Sequence, residues 1–271
     1  MTNKFNTMIS LNYILRYFLD KYTLPQIQIK NDAFYLFLRD THMPFTTKNF
    51  QNTNRENGPL PLSRFRIARF KYIISLINKS IADKNKCDII DLGGTPEYWK
   101  NLEYLIKGKE INVTVVNLKK FTSETTWISC IQKDATDLKE FPDNSFDLVH
   151  SNSTIEHLRS WKKMEEFARE ARRLAPAYYI QTPNFWFPYE FHTKMIGFHW
   201  LPKLLRVKIL MKRATGYYPR ANTVEEAMHI IEDAHSLTHK EMSCLFPDSK
   251  IIGERFCGLN KSWISIRSDN K

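Results

Sequence analysis

The run Cys87-Asp88-Ile89-Ile90-Asp91-Leu92-Gly93-Gly94-Thr95-Pro96 constrains this chain more than any other. A short apolar segment that ends in two glycines reads as a buried strand entering a tight turn. The chain around it keeps a regular rhythm. Phe70, Ile73, Ile74, Ile77 and Ile81 make a helical stripe before the strand. After it, Tyr98 to Ile106 reads as helix, Ile111 to Leu118 as a β-branched strand, and Trp127 to Ile131 as a weaker strand. Phe146 to Ser151 follows the turn Pro142-Asp143-Asn144-Ser145 and reads as a strand. Trp161 to Leu174 is then a helix and Ala177 to Gln181 a strand. Strands alternating with helices predict a doubly wound, Rossmann-like α/β sheet.

The ends differ from this centre. Met8, Leu11, Leu15, Phe18 and Tyr22 predict one amphipathic helix, and residues 40–61 read as a loop. An N-terminal helical arm and linker over 1–61 is therefore expected ahead of a main domain over 62–271. Thr223 with Glu226 and Thr238 with Glu241 have capping-box spacing, and each predicts a helix start. Lys250 to Phe256 and Ser262 to Arg267 predict two closing antiparallel strands joined around Gly258-Leu259-Asn260. Residues 182–220 interrupt the α/β rhythm with an aromatic and basic insertion. Long insertions at the end of a sheet usually carry function.

Composition narrows the partners. The 271 residues carry 40 basic and 29 acidic side chains, a net charge of +11. Basic exceed acidic by 14 to 5 over residues 1–86 and by 12 to 4 over 161–220, whereas acidic exceed basic by 12 to 8 over 87–160. Such asymmetry fits an anionic partner, whether nucleic acid, a phosphorylated substrate or a membrane surface. It equally fits a solvated basic surface. The aromatics of the insertion (Phe185, Trp186, Phe187, Tyr189, Phe191, Phe198, Trp200), mixed with its basic residues, suit sugar stacking, membrane interfaces or single-stranded nucleic acid alike. Cys87, Cys130, Cys244 and Cys257 have no C-x-x-C spacing, so free thiols in a reducing cytosol are expected. No secretory signal or spanning helix is read in the sequence.

Four segments in order carry a resemblance. They are Asp91-Leu92-Gly93-Gly94-Thr95, then Lys133-Asp134-Ala135, then Phe141 to Val149, then Ser151 to Leu158. Together they resemble class I S-adenosylmethionine-dependent methyltransferases of the type 11 group, over roughly residues 65–181. The resemblance implies a seven-stranded, mostly parallel sheet with one antiparallel strand near its edge. It implies that Asp91, Gly93, Gly94 and Thr95 wrap the methionine part of the cofactor and that Asn117 meets the ribose. Asp134 would accept from the adenine amino group, Ala135 would offer its N–H to the ring, and Ser151 would line the pocket. A carboxylate is acceptor-only and suits an exocyclic amine. This chain departs from the motif D-x-G-x-G-x-G, with Thr95 and Glu97 at the later glycines, and Asn117 stands where an acid is usual.

Methyl transfer to a hydroxyl also needs a proton acceptor. His157, just past the fourth strand, is the first candidate, and Glu190 and His192 of the insertion are the second. No compact set of carboxylates has metal-ligand spacing, so no metal is expected. Leu201 to Arg213 reads as a lid helix, with a membrane-surface helix as the alternative. The segments Asp91 to Trp99 and Thr182-Pro183-Asn184 resemble those of bacterial polysaccharide and glycan enzymes. That implies O-methylation of a sugar on a lipid- or nucleotide-linked glycan, in the cytoplasm or at the periphery of the inner membrane. The alternatives are an RNA or small-molecule methyltransferase and a non-catalytic scaffold with the same fold. Nucleic acid is the less favoured partner, because no RNA-binding module is appended.

Overall fold

The computed structural model describes residues 64–268. The expected helix at Met8–Tyr22 and the arm over 1–61 lie outside them. The elements in chain order are α1 (Arg64–Lys84), β1 (Cys87–Leu92), α2 (Pro96–Lys100), α3 (Glu103–Ile106), β2 (Ile111–Asn117), β3 (Ile128–Gln132), β4 (Leu148–Asn152), α4 (Trp161–Leu174), β5 (Ala177–Pro183), the short β6 (Tyr189–Glu190) and β7 (Met195–Ile196), α5 (Lys203–Lys212), α6 (Val224–Asp233), α7 (His239–Leu245), β8 (Lys250–Phe256) and β9 (Leu259–Arg267).

One seven-stranded sheet has the order β3-β2-β1-β4-β5-β9-β8. Strands β1 to β5 run parallel, and β9 pairs antiparallel with both β5 and β8. The seven-stranded, mostly parallel sheet with one antiparallel strand near the edge is thus observed. Alternation along the strands gives each face its own core. Ile89, Val113 and Val115 pack with Phe70, Ile73 and Ile77 of α1 and with Trp99 and Leu102. Ile90, Leu92, Val116 and Val149 pack on the other face with Met164, Phe167, Ala171 and Leu174 of α4 and Met242 of α7. Three-layer burial explains why β1 and β5 are buried along nearly their whole length.

Several expectations shift locally. The helix expected over Tyr98–Ile106 is two short ones, α2 and α3, because the chain turns at Asn101–Leu102 to bury Trp99, Leu102 and Ile106 together. Thr238 and Glu241 form a complete capping box. At α6 only half of one forms: Thr223 accepts from the Glu226 N–H, but the Glu226 carboxylate takes the N–H of Asn222. The final hairpin turns at Cys257–Gly258, both with positive φ (49° and 81°), and β9 starts earlier than expected. The insertion contains the β6–β7 hairpin and α5, whose Val207 and Leu210 pack on Ala227 of α6. Among the described residues no helix is long and apolar enough to cross a membrane.

Candidate functional site

Ligands of an open α/β sheet bind outside the carboxyl ends of its parallel strands. The sequence candidates collect there, in two groups.

The first group is the loop after β1. Asp91 is fully buried, and both of its oxygens are used inside the protein. Trp99 Nε1 donates to Oδ2 at 2.8 Å, and His150 Nδ1 donates to Oδ1 at 2.7 Å. A carboxylate only accepts, so Nδ1 carries the His150 proton. His150 lies beside Asp91 in the parallel β1–β4 register and stacks on Tyr179, with centroids 5.5 Å apart and planes 6° apart. Asp91 is therefore a post under the loop. A Cβ on Gly94 would stand 1.8 Å from Asp91 Oδ2, so Gly94 must be glycine for lack of space. Gly93 has φ +80°, and the Thr154 side chain packs directly on its Cα, where a Cβ would be 2.2 Å from Thr154 Cγ2. Thr95 precedes α2 with extended backbone and no side-chain cap.

The remaining cofactor candidates surround this loop. Asn117, at the end of β2, donates from Nδ2 to the carbonyls of Gly93 (3.1 Å) and Gly94 (2.9 Å) and accepts from the Lys119 N–H, so its amide clamps the loop. Ser151 is buried, and its hydroxyl donates to the Leu92 carbonyl at 2.8 Å, tying β4 to β1. Asp134 accepts on Oδ1 from the N–H and hydroxyl of Thr136, and Lys163 Nζ lies 3.6 Å from Oδ2. Burial works to raise the Asp134 carboxyl, but Thr136 and the Lys163 ammonium outweigh it and hold it below its usual range. Among the described residues the N–H groups of Gly94, Thr95 and Ala135 have no partner.

This donor set fits S-adenosylmethionine. Two free N–H groups at the glycine turn suit its carboxylate, the Ala135 N–H suits a ring nitrogen, and the ionised Asp134, a half-exposed side chain that shares Oδ2 with Lys163, suits an exocyclic amine.

The second group is built from the loop after β4 and the insertion. The first turn past β4 is a short 3-10 helix, Ile155–His157. His157 Nδ1 donates to the Asp233 carbonyl at 2.9 Å, which leaves Nε2 as an open acceptor. His192 Nδ1 donates to Glu190 Oε1 at 2.7 Å, which leaves its Nε2 open too. The two imidazoles meet edge to face, 4.9 Å apart. Glu156 is fully buried beside them. Its Oε2 accepts from Thr182 Oγ1 at 2.9 Å, and its Oε1 has no partner. Burial pushes the Glu156 carboxyl up, against the pull of His157 and Thr182. Glu190 behaves oppositely. Burial works to raise it, yet bonds from His192 and from the N–H and hydroxyl of Thr193 take it down to about 2. Burial works to lower His192, and Glu190 outweighs that and raises it. His199 donates to the Phe185 carbonyl and stabilises the insertion.

The sequence candidates His157, Glu190 and His192 are thus brought together. Trp99 and His150 were missed, although a histidine inside an apolar strand demands a partner and Asp91 was the acid beside it. Glu156 is not among the site candidates that the sequence singles out. A surface cleft of about 350 Å³, lined by Glu103, Lys107, Asn112 and Trp127, opens at the amino end of β2, away from these groups.

Residues 91–176 match the family described as a methyltransferase domain. No curated protein matches the sequence. Among solved structures, the chain is similar to an S-adenosylmethionine-dependent methyltransferase from Methanosarcina mazei, with 17% identity, 67% of this chain and 91% of that one covered, and a TM-score of 0.40. It is also similar to one from Archaeoglobus fulgidus (13% identity, 73% and 90% covered, TM-score 0.45). A third is the magnesium protoporphyrin IX methyltransferase of Synechocystis, solved with S-adenosylhomocysteine (11% identity, 78% and 90% covered, TM-score 0.39). The family match begins at Asp91 and runs along the glycine loop, the Asp134 turn and α4, so this stretch resembles a methyltransferase domain.

Proposed function

We propose that the chain methylates a hydroxyl group of a sugar, on a bacterial surface glycan or its lipid- or nucleotide-linked precursor. The observation that carries this reading is the open Nε2 of His157. It belongs to a loop whose Thr154 packs on Gly93, so a proton acceptor stands beside the cofactor loop. When bound, S-adenosylmethionine supplies a methyl group whose C–S bond breaks as the O–C bond forms, the electron pair staying on sulfur. The hydroxyl proton passes to His157 Nε2, and the Asp233 carbonyl on Nδ1 stabilises the imidazolium so formed. Half-exposed Trp186, with Trp200 6.5 Å away, offers an apolar face of the kind on which sugar rings stack. Exposed Leu204 and Leu205 beside Lys203 and Lys208 on α5 would suit a lipid-linked, phosphate-bearing acceptor at a membrane surface.

Calorimetric titration with S-adenosylmethionine and S-adenosylhomocysteine, beside Asp134→Ala, tests the cofactor half. Micromolar binding that weakens at least tenfold in the variant is expected. A labelled-methyl screen over sugar nucleotides, lipid-linked glycans and RNA tests the acceptor half. Label on RNA alone would replace the sugar reading, and absence of cofactor binding by the folded protein would end the enzymatic one.

A further inference from the structure

We propose that Glu156, His157 and His192 form a binding site for one first-row divalent transition-metal ion. One ligand atom from each of the three lies within 4.8 Å of the other two. Ligands on a common ion at about 2.1 Å stand no more than about 4.2 Å apart, so sub-ångström side-chain movements close the set.

Three features separate this cluster from an ordinary polar core. First, Glu156 is fully buried, and its Oε1 has no hydrogen-bond partner. An unpartnered buried carboxylate oxygen is costly unless something cationic meets it. Second, every ligand is already oriented from behind. Glu190 holds His192 Nδ1 at 2.7 Å, the Asp233 carbonyl holds His157 Nδ1 at 2.9 Å, and Thr182 holds Glu156 Oε2 at 2.9 Å. Glu190 is itself fixed by the N–H and hydroxyl of Thr193, both at 2.6 Å. Such outer partners fix the tautomer that presents Nε2 and are typical of metal-bound histidines. Third, the site is reachable, because the His157 side chain is 37% exposed and that of His192 17% exposed.

Two imidazoles and one carboxylate suit manganese, iron, cobalt, nickel or zinc better than magnesium or calcium, which prefer all-oxygen sites. Three protein ligands leave coordination positions open. Those positions would take the hydroxyls of the acceptor, a role that rests on the methyltransferase reading. With an ion on Nε2, His157 would serve as ligand in place of its role as proton acceptor, because Nε2 has a single lone pair, and the coordinated hydroxyl would lose its proton to solvent instead. The expectation of no metal came from the absence of sequence spacing, and the geometry supplies the set from two segments far apart in the chain.

The test titrates chelator-treated full-length protein with cobalt(II) and zinc(II) salts, without cofactor or acceptor. Saturable binding of one equivalent is expected, with visible cobalt d–d absorption. Affinity should fall at least tenfold in Glu156→Gln and His192→Asn, and tenfold to a hundredfold in Glu190→Gln, whose side chain never touches the ion. Circular dichroism checks that each variant folds. Zinc X-ray absorption of the wild type gives a readout independent of any variant and should show two imidazoles in a nitrogen and oxygen shell. Absence of one-equivalent binding, a shell without two imidazoles, or binding that folded Glu156→Gln and His192→Asn leave unchanged would overturn the proposal. Cofactor titration of the same samples separates the two readings. Cofactor bound without metal leaves the enzyme and removes the site, and metal bound without cofactor does the reverse.

Discussion

Gly94 is held to glycine by a neighbour inside the protein, and this makes a quantitative prediction. In Gly94→Ala the new methyl would sit 1.8 Å from Asp91 Oδ2, where ordinary contact needs more than 3 Å. The carboxylate has nowhere to go, because Trp99 and His150 grip it from buried positions at 2.8 and 2.7 Å. Relief requires either a shifted loop or one broken bond to the carboxylate. Forced overpacking costs about 1–3 kcal/mol, and a lost hydrogen bond to a charged group about 1.5–3 kcal/mol. Alanine returns roughly 0.4–1 kcal/mol by stiffening the unfolded chain. A net loss of about 1–2 kcal/mol follows, a sizeable share of a domain stability of about 5–15 kcal/mol. The decisive measurement is a double-mutant cycle with Asp91→Ala by equilibrium urea unfolding. Asp91→Ala alone strands two buried donors and should cost about 3–5 kcal/mol. Once the carboxylate is gone the clash goes too, so adding Gly94→Ala should then cost nothing, a coupling of about 1–2 kcal/mol. Additive losses, or a Gly94→Ala protein as stable as wild type, would refute the reasoning.

Other perturbations have equally definite outcomes. Arg173 donates to the buried carboxylate of Glu170, to Asp143 and to the carbonyls of Leu138 and Phe141, so Arg173→Ala should cost about 3–5 kcal/mol in urea unfolding. Arg173→Lys should recover less than half, because an ammonium cannot serve that fork of acceptors. Burial drives Lys261 from 10.5 down to about 8, against the pull of Glu254. With the folded value below the unfolded one, the unfolded chain holds more protons between those values, so stability should rise by roughly 3 kcal/mol from pH 8 to 10.5 relative to Lys261→Met. A flat difference between the two proteins across that window would contradict it. Gly258 has φ +81° with open space where a side chain would go. Gly258→Ala should therefore cost about 1 kcal/mol from backbone strain alone, and Gly258→Asn less, as read from thermal unfolding.

The sheet was legible because burial on two faces writes itself into local pattern. The α4 bounds follow from Met164, Phe167, Ala168, Ala171 and Leu174 at helical spacing behind the Ser160 cap. Strand β8 was equally plain. Helices α2 and α3 look like one helix in the sequence because the turn at Leu102 is imposed by tertiary demand on Trp99, whose indole must reach Asp91. The position of the glycine loop was legible, and its internal logic was not. Asn117 in place of an acid makes sense only once its amide is seen bonded to the Gly93 and Gly94 carbonyls. His192 and Glu156 share no spacing, and only the docking of the β6–β7 hairpin beside the β4 loop makes them neighbours.

The packing of Thr154 on Gly93 and the bond from His157 to the Asp233 carbonyl also set a timetable for synthesis. A ribosome adds about 5–20 residues per second, so roughly 4–16 s pass between the emergence of Thr154 and that of Asp233. Through that interval the nascent chain already holds Asp91, Trp99, His150 and the glycine turn that Thr154 covers. It lacks the carbonyl that sets His157. His157 thus gains its orientation only once α6 has emerged. A chain cut before residue 233 would lack the carbonyl that sets His157, and it would also lack Met242 of α7 and Ile264 of β9, which complete the two faces of the core.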